Sequence, residues 1–238
     1  MKRNHNRTGL TSIAFLFLFG SFEPAFAGDP SCVDPAVPLS ALLMPPPKHD
    51  SAQTKAELQE LLRLQEARTS DQVRHARDDD RRTVESFLEG IGIKAGTLSS
   101  SATHFFDCIA EAVEHAVREA KLTFVRTRPY RLPDNKLHTL KKLSDRDSSS
   151  YPSGHATYGT VIGLILAEML PEKKDDLYKR IQDYGHSRLV SGAHFRSDVY
   201  AGKIAGAAIA ASLLSKEDFQ SQFKEVKSEL RKSIGFSS

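Results

Sequence analysis

The chain has 238 residues, of which 39% are hydrophobic, and a formal net charge of +3 at pH 7. That length and apolar content are enough for one domain with a sizeable core. Residues 1–27 carry +2 of the charge and leave +1 for the remainder. A chain this balanced gives no general basis for binding nucleic acid polymers or membrane surfaces, so any concentrated positive charge must be local.

Residues 1–27 have the pattern of a cleaved secretory signal peptide. Basic residues precede an apolar run at positions 13–19, and Ala25, Phe26 and Ala27 form a small-x-small cleavage site. The alternative is a membrane anchor, but the run is too short to span a bilayer comfortably. We expect cleavage after Ala27, export to a bacterial periplasm and no stable insertion in the membrane.

Residues 28–49 are rich in proline, which predicts an extended N-terminal arm rather than a separate domain. The arm contains Cys32, and the second cysteine of the chain is Cys108. An oxidising compartment favours a disulfide between them, which would tie the arm to a central helix. The alternative is two buried free thiols. Two cysteines this far apart do not suggest a zinc site.

Two helices are predicted between residues 50 and 92. The first begins at Asp50 or Ser51 and places leucines on one apolar face. The second begins at Ser70 and continues to Gly90 and Gly92, with apolar residues along its later turns. The acidic run at residues 78–80 is interpreted as a solvated face of this helix rather than as a metal site.

The clearest amphipathic helix is predicted to be capped near Ser101 and to end at Lys121. Its apolar residues recur at intervals of three and four: Phe105, Cys108, Ile109, Ala112, Val113, Ala116 and Ala120. The polar segment 131–150 follows. Because it lies between two motifs described below, we interpret it as part of a pocket rim, with a plain surface loop as the alternative.

The last third of the chain predicts a buried central helix and its partners. Residues 156–170 are apolar almost all round, as in a helix buried on every side. A Gly- and Ala-rich helix follows Asp198, and a capping box at residues 215–218 opens a final amphipathic helix. We find no alternating strand pattern. The prediction is an all-α fold, with residues 50–238 forming a single-domain helical bundle around a buried central helix.

Residues 184–200 contain a histidine followed four positions later by an aspartate, His194 and Asp198. Residues four apart share a helix face, so a helix beginning near His194 would let Asp198 reach its ring. A carboxylate there fixes the tautomer and leaves the other ring nitrogen free to attack. Arg188, six positions before His194, adds a planar fork of donors suited to phosphate.

Two more motifs stand upstream. Lys121 and Arg128 belong to the pattern K-x(6)-R-P, and residues 151–155 read YPSGH. Ser153 offers a hydroxyl and Gly154 allows close approach of the backbone. If a helix starts near His155, its free N–H groups point toward an anion. With Arg188, three cations are available to neutralise the oxygens of a phosphoryl group.

The ordered set K-x(6)-R-P, P-S-G-H and S-R-x(5)-H-x(3)-D resembles the type 2 phosphatidic acid phosphatase superfamily, which also contains the vanadium haloperoxidases. Within it, the chain is similar to the bacterial class A non-specific acid phosphatases, and residues 44–73 also resemble the N-terminal region of that class. The resemblance implies a periplasmic enzyme that hydrolyses small-molecule phosphate monoesters through a phosphohistidine. It also implies a homo-oligomer.

The resemblance assigns roles residue by residue. His194 would be the nucleophile, Asp198 would orient it, and His155 would protonate the leaving alcohol and then activate water. The phosphate would be bound by Lys121, Arg128, Ser153, Gly154 and Arg188. No metal or other cofactor is expected, because the cations supply the electrostatic stabilisation. Vanadate should inhibit, and phosphotransfer to alcohols is open because any hydroxyl can intercept a phosphohistidine.

Three other functions remain as alternatives. A serine hydrolase could use Ser153, His194 and Asp198, but it would need none of the three cations and would carry a G-x-S-x-G elbow. A vanadium haloperoxidase would use the same residues, although the chain is short for that family. A non-catalytic periplasmic phosphate-binding protein would explain the cations but not an aspartate four residues after a histidine.

Overall fold

The computed structural model describes residues 32, 34–94, 98–133, 136–141 and 149–236. Every regular element within them is a helix, which confirms the all-α prediction. There are two short 3-10 helices, Pro129–Arg131 and Pro171–Lys173, and α-helices α1 (Leu39–Leu42), α2 (Ala52–Ala67), α3 (Ser70–Asp78), α4 (Val84–Glu89), α5 (Ser100–Thr123), α6 (Gly154–Met169), α7 (Lys174–Val190), α8 (Arg196–Leu214) and α9 (Glu217–Ser233). The predicted signal peptide, residues 1–27, lies outside the described residues.

Hydroxyl side chains start several of these helices. Ser51, Thr69, Ser99 and Ser153 each accept a hydrogen bond from the N–H group three residues later, which satisfies a donor that the first turn of a helix leaves unpaired. The helix predicted at Asp50 or Ser51 thus begins at Ala52, directly after its cap. The capping box predicted at residues 215–218 does not form, because α9 begins at Glu217 without a side-chain cap.

The prediction of one long helix from Ser70 to Gly90 is wrong, because two helices, α3 and α4, occupy this stretch. The chain leaves the helix after Asp78 and starts α4 at Val84, where the hydroxyl of Thr83 accepts from the N–H of Ser86. Asp79 is buried and its carboxylate accepts from Arg180 at 2.5 Å. Asp79 and Asp80 therefore make tertiary ion pairs in a turn, and the prediction of a solvated helix face is wrong for these two residues. Asp78 ends α3 and is exposed, as predicted.

Helix α6 is buried on nearly all sides, as predicted, and packs against α4, α5, α7, α8 and α9. Its closest neighbour is the Gly- and Ala-rich α8. A methyl group placed on Gly206 would lie 2.6 Å from the carbonyl oxygen of Thr157, and one on Gly202 would lie 2.6 Å from that of Ser153. Glycine at these two positions lets the backbones of α6 and α8 approach each other, which fixes Ser153 against Asp198 in the site described below.

The N-terminal arm is fastened to α5. Cys32 and Cys108 form a disulfide, and α1 is a single helical turn within the arm that buries Leu39 against α5. The apolar residues predicted for the amphipathic face of α5 are all buried. Among the described residues, no helix is both long and apolar enough to cross a membrane.

Replacing Gly206 by valine should destabilise the fold strongly. The new Cβ would meet the backbone of α6 at 2.6 Å, and such overpacking costs about 1–3 kcal/mol, or more when backbone must move. The matched control is Ala207→Val, which places a valine at the next, exposed position of α8. Denaturant unfolding of both variants measures the difference. Equal stability would contradict the close helix contact.

Candidate active site

A cavity of about 510 Å³ lies where the C-terminal ends of α5 and α7 meet the N-terminus of α6 and the turn before α8. The described residues that line it include six of the eight predicted catalytic and phosphate-binding residues: Lys121, Arg128, Gly154, His155, Arg188 and His194. The side chains of Ser153 and Asp198 are completely buried behind the cavity wall. Three separate sequence motifs thus converge on one cavity.

The hydrogen bonds of His194 define its tautomer. Its Nδ1 lies 2.8 Å from the carbonyl oxygen of Ser150, and its Nε2 lies 3.1 Å from Nη1 of Arg128. A carbonyl oxygen only accepts and a guanidinium only donates, so the proton is on Nδ1 and the lone pair is on Nε2. Burial lowers the pKa of His194 well below its ordinary value, and Arg128, Lys121 and Arg188 act in the same direction. The result is a neutral imidazole whose nucleophilic nitrogen lies at the cavity.

Asp198 holds His194 differently from the sequence expectation. His194 precedes α8, and Asp198 lies in the first turn of that helix, so the two residues do not share a helix face. The carboxylate is 3.5 Å from Nδ1, whereas the Ser150 carbonyl is 2.8 Å away and accepts the hydrogen bond that Nδ1–H donates. Asp198 instead accepts from the Ser150 hydroxyl at 2.5 Å and from the Phe195 N–H at 2.8 Å. It therefore orients the residues on either side of the imidazole.

Arg126, which the sequence analysis passed over, is the cation that pairs with Asp198. Its Nη1 donates to Oδ1 of Asp198 at 2.6 Å, and its Nη2 donates to Glu57 at 3.2 Å. The guanidinium also lies 4.1 Å from the ring centroid of Phe195. Burial raises the pKa of Asp198, and Arg126 acts in the opposite direction. The sequence does contain a sign of this role, because Arg126 lies two positions before Arg128, inside the K-x(6)-R-P motif.

Arg188 and His155 share a partner that the sequence analysis also missed, Asp80. Nη1 of Arg188 donates to the Asp80 carboxylate at 3.0 Å, while Nη2 donates to the carbonyl of Ala76 at 2.7 Å. Nε2 of His155 lies 3.1 Å from the Asp80 carbonyl oxygen and 3.8 Å from its carboxylate. Asp80 therefore contacts both a predicted phosphate ligand and the predicted proton donor.

The protonation of His155 depends on opposing influences. Burial lowers its pKa well below the ordinary value, and the positive charges of Arg188 and Arg82 add to this effect. The hydrogen bond to the Asp80 carbonyl acts in the opposite direction. A general acid must carry a proton, so negative charge close to His155 is needed before it can act in that role.

Lys121 and Arg128 also line the cavity. Nζ of Lys121 donates to the carbonyl of Ser149 at 2.6 Å, and Nη1 of Arg128 donates to the carbonyl of Ala193 at 3.0 Å. Burial, together with the charge of Arg128, lowers the pKa of Lys121 to about 7. The cationic form of Lys121 is therefore lost as the pH rises through neutrality, and anion binding should weaken in the same range.

The start of α6 supplies backbone donors. The Ser153 hydroxyl caps the helix by accepting from the Ala156 N–H at 3.4 Å, and the Ser153 N–H donates to the carbonyl of Asp198 at 3.0 Å. Gly154 is the first residue of the helix and lines the cavity. N–H groups in the first turn of a helix lack intrahelical partners and favour an anion.

Two described residues of segment 131–150 lie at the cavity, as the rim interpretation expects. Lys141 and Ser149 line the cavity. The N–H of Leu140 and the hydroxyl of Thr139 both donate to the carbonyl of Ser191, at 2.8 and 3.0 Å. These bonds anchor the segment beside the turn that carries His194.

In the part of the chain that the structure describes, no group of three or more His, Cys, Asp or Glu side chains is arranged to hold a metal ion. Within the same part, the carboxylates at the cavity, Asp80 and Glu114, both accept from arginines. The cavity chemistry is that of an anion site, with lysine and arginine donors around two histidines.

Fold and site together define an all-α domain with a cationic cavity that contains the buried His194 and the partly buried His155. Residues 105–220 match the model of the PAP2 superfamily, so this part of the chain is a PAP2 superfamily domain. This confirms the resemblance drawn from the three motifs. The matched segment contains every predicted catalytic and phosphate-binding residue, whereas Glu57, Asp80 and Arg82 precede it.

The chain is similar to curated proteins named acid phosphatases. It is 39% identical over 120 residues to a non-specific acid phosphatase of Salmonella typhimurium, which covers 49% of this chain and 47% of the relative. It is 37% identical over 127 residues to a non-specific acid phosphatase of Providencia stuartii, and this match covers 52% of this chain and 50% of the relative. It is 36% identical over 135 residues to an acid phosphatase of Zymomonas mobilis, again covering 52% of this chain and 50% of the relative. The chain matches these relatives over about half of their length.

Replacing Arg126 by glutamine should destabilise the protein by about 3–5 kcal/mol, because Asp198 and Glu57 lose their buried cation. Without Arg126 the pKa of Asp198 rises further above its value in the unfolded chain. The loss in free energy of unfolding, relative to the wild-type protein, therefore grows as the pH rises and shrinks in acid. Denaturant unfolding at acidic and neutral pH measures both effects. Arg74→Gln, an exposed arginine paired with Asp71, is the control. A deficit independent of pH would contradict the pairing.

Proposed function

We propose that the protein is a metal-independent acid phosphatase that hydrolyses phosphate monoesters through a phosphohistidine. The observation that carries the proposal is the state of His194: its Nδ1 proton is held by the Ser150 carbonyl, and its unprotonated Nε2 lies at a cavity lined by Lys121, Arg128 and Arg188. A neutral, fixed nucleophile among cations fits phosphoryl transfer, which depends on positioning and on charge stabilisation. The names of the relatives agree with this reaction.

The first step transfers the phosphoryl group to the protein. Nε2 of His194 forms a bond to phosphorus while the bond from phosphorus to the leaving oxygen breaks. His155 gives a proton to that oxygen, so the product leaves as an alcohol. Lys121, Arg128, Arg188 and the backbone at Gly154 stabilise the charge on the three remaining oxygens. The imidazolium that develops on His194 is supported by the Ser150 carbonyl and the nearby carboxylate of Asp198.

The second step releases phosphate. A water molecule gives a proton to the now neutral His155 and attacks phosphorus, and the bond to Nε2 breaks. An alcohol in place of water would yield a new phosphate ester, so phosphotransferase activity belongs to the same proposal.

Ser153 supports this reading over a serine hydrolase. Its side chain is completely buried, and its hydroxyl caps α6 at the backbone N–H of Ala156. A nucleophile would need to face the cavity, where His194 lies instead.

Export is also part of the proposal. The disulfide between Cys32 and Cys108 is the kind of bond that persists in an oxidising compartment such as a periplasm. Together with the signal-peptide pattern of residues 1–27, it supports secretion.

His194→Ala should lower turnover of p-nitrophenyl phosphate by at least about 10³-fold, because the nucleophile is removed. The wild-type protein, quenched during turnover, should carry a phosphoryl group that is stable in alkali and labile in acid, as expected for phosphohistidine and opposite to phosphoserine. His186→Ala, on the exposed side of α7, is the control. Near-normal turnover by the His194 variant would overturn the proposal.

Asp80→Asn should impair His155 as an acid. The variant removes a negative charge 3.8 Å from the imidazole, so the pKa of His155 falls and its proton is lost at lower pH. The alkaline limb of kcat/KM should move to lower pH, and alkyl phosphates should lose more activity than p-nitrophenyl phosphate, whose leaving group needs little protonation. Asp78→Asn, an exposed aspartate two residues earlier, should show neither effect. An equal loss on both substrate classes would contradict the role.

Vanadate should inhibit competitively and more tightly than phosphate, because it adopts the five-coordinate geometry of the transition state. Dialysis against EDTA should leave activity unchanged. Inhibition constants for both anions, measured before and after dialysis, test the two expectations together. Activity that disappears on dialysis and returns with a divalent ion would show a metal-dependent mechanism instead.

A further inference from the structure

The cavity carries more positive charge than one phosphate group requires. Its described lining contains six lysine and arginine side chains and two carboxylates, an excess of four positive charges if all are ionised. A phosphate monoester contributes at most two negative charges. Three of the six cations, Arg82, Arg118 and Lys141, lie outside the set that resemblance assigns to phosphate.

Arg82 is fixed next to the proton donor. Its Nη1 donates to Glu114 on α5 at 2.5 Å, and a methyl group placed on Gly154 would lie 3.8 Å from the same nitrogen. It is also among the charges that lower the pKa of His155. In the proposed reaction His155 protonates the leaving oxygen, so the Arg82 guanidinium lies on the side of the cavity where the leaving group departs.

The adjoining wall is one face of α5. Glu114, Arg118 and Lys121 are spaced by four and three residues, so they follow one another along the same face. Arg118 is thus about 4.5 Å along the helix axis from Lys121, and it is the more exposed of the two. Burial acts to raise the pKa of Glu114, but Arg82, Arg118 and Lys121 together hold it below its ordinary value. The Glu114 carboxylate therefore interacts with three cations at once, Arg82, Arg118 and Lys121.

We propose that Arg82 and Arg118, with Lys141 at the rim, form a subsite for a second anionic group on the leaving portion of the substrate. The preferred substrates are then phosphate monoesters whose alcohol carries a phosphate or a carboxylate, such as bisphosphates of short polyols. The preference for such substrates rests on the proposed phosphatase function. The binding of a second anionic group does not depend on that function.

Three ligands of matched length test the subsite without turnover: propylphosphonate, 3-phosphonopropionate and propane-1,3-bisphosphonate. The common phosphonate stands in for the phosphoryl group, and the far end is a methyl, a carboxylate or a second phosphonate. Calorimetry should give a dissociation constant about tenfold lower for the bisphosphonate than for propylphosphonate, with the carboxylate between them. The ratio should shrink as salt is added, because the rim cations are partly exposed.

Arg82→Gln and Arg118→Gln should each reduce that ratio, and the double variant should bring it near one. Glutamine at position 82 can still donate to Glu114, and Arg118 is exposed, so folding should be preserved. Arg74→Gln, an exposed arginine away from the cavity, should keep the wild-type ratio. Equal affinity of the wild-type protein for all three ligands, or an unchanged ratio in the double variant, would overturn the subsite.

Turnover of p-nitrophenyl phosphate separates the two proposals. If the protein binds the bisphosphonate preferentially but releases no phosphate, the phosphatase proposal fails and the subsite stands as an anion-binding site. If it hydrolyses the ester but shows no preference among the phosphonates, the subsite fails and the phosphatase proposal stands.

Discussion

The buried carboxylate of Asp198 connects the three motifs. It accepts from Arg126 in the first motif, from the Ser150 hydroxyl beside the second and from the Phe195 N–H in the third. Its own backbone carbonyl accepts from the N–H of Ser153. An anion without water needs such partners to remain in a protein interior, so each motif is held in place by satisfying the same charge. The position of the imidazole follows, since the backbone carbonyl of Ser150 also accepts a hydrogen bond from Nδ1 of His194.

The sequence was informative where chemistry follows from residue type and order. Lys121, Arg128, His155, Arg188 and His194 do meet at one cavity, and α6 is the buried helix that its composition predicts. The spacing of His194 and Asp198 was a useful signal for a different reason from the one assumed, because a helix begins between them. Local patterns identify which residues cooperate but not the partner atom each one contacts.

The failures at Asp80 and Arg126 share a physical cause. Both residues contact partners far along the chain: Asp80 meets Arg188 and Arg126 meets Asp198. A run of three aspartates in a helical pattern indicates solvent exposure only while the helix continues. The break after Asp78, made possible by the Thr83 cap, turns two of these side chains toward arginines of α7. Nothing within the acidic run itself reveals those partners.

The break between α3 and α4 separates two parts of the site along the chain. The groups assigned to phosphoryl transfer all lie within residues 105–220, while residues 79–82, which bring Asp80 and Arg82 to the cavity, come from a short turn closed by its own helix cap. A turn of this kind can change in length and composition without disturbing the packing of α6 against α8. Selectivity for the departing alcohol can therefore diverge at Arg82 while Asp80 keeps its contacts with Arg188 and His155, and exchanging the residue at position 82 between related chains offers a route to redesigned substrate preference.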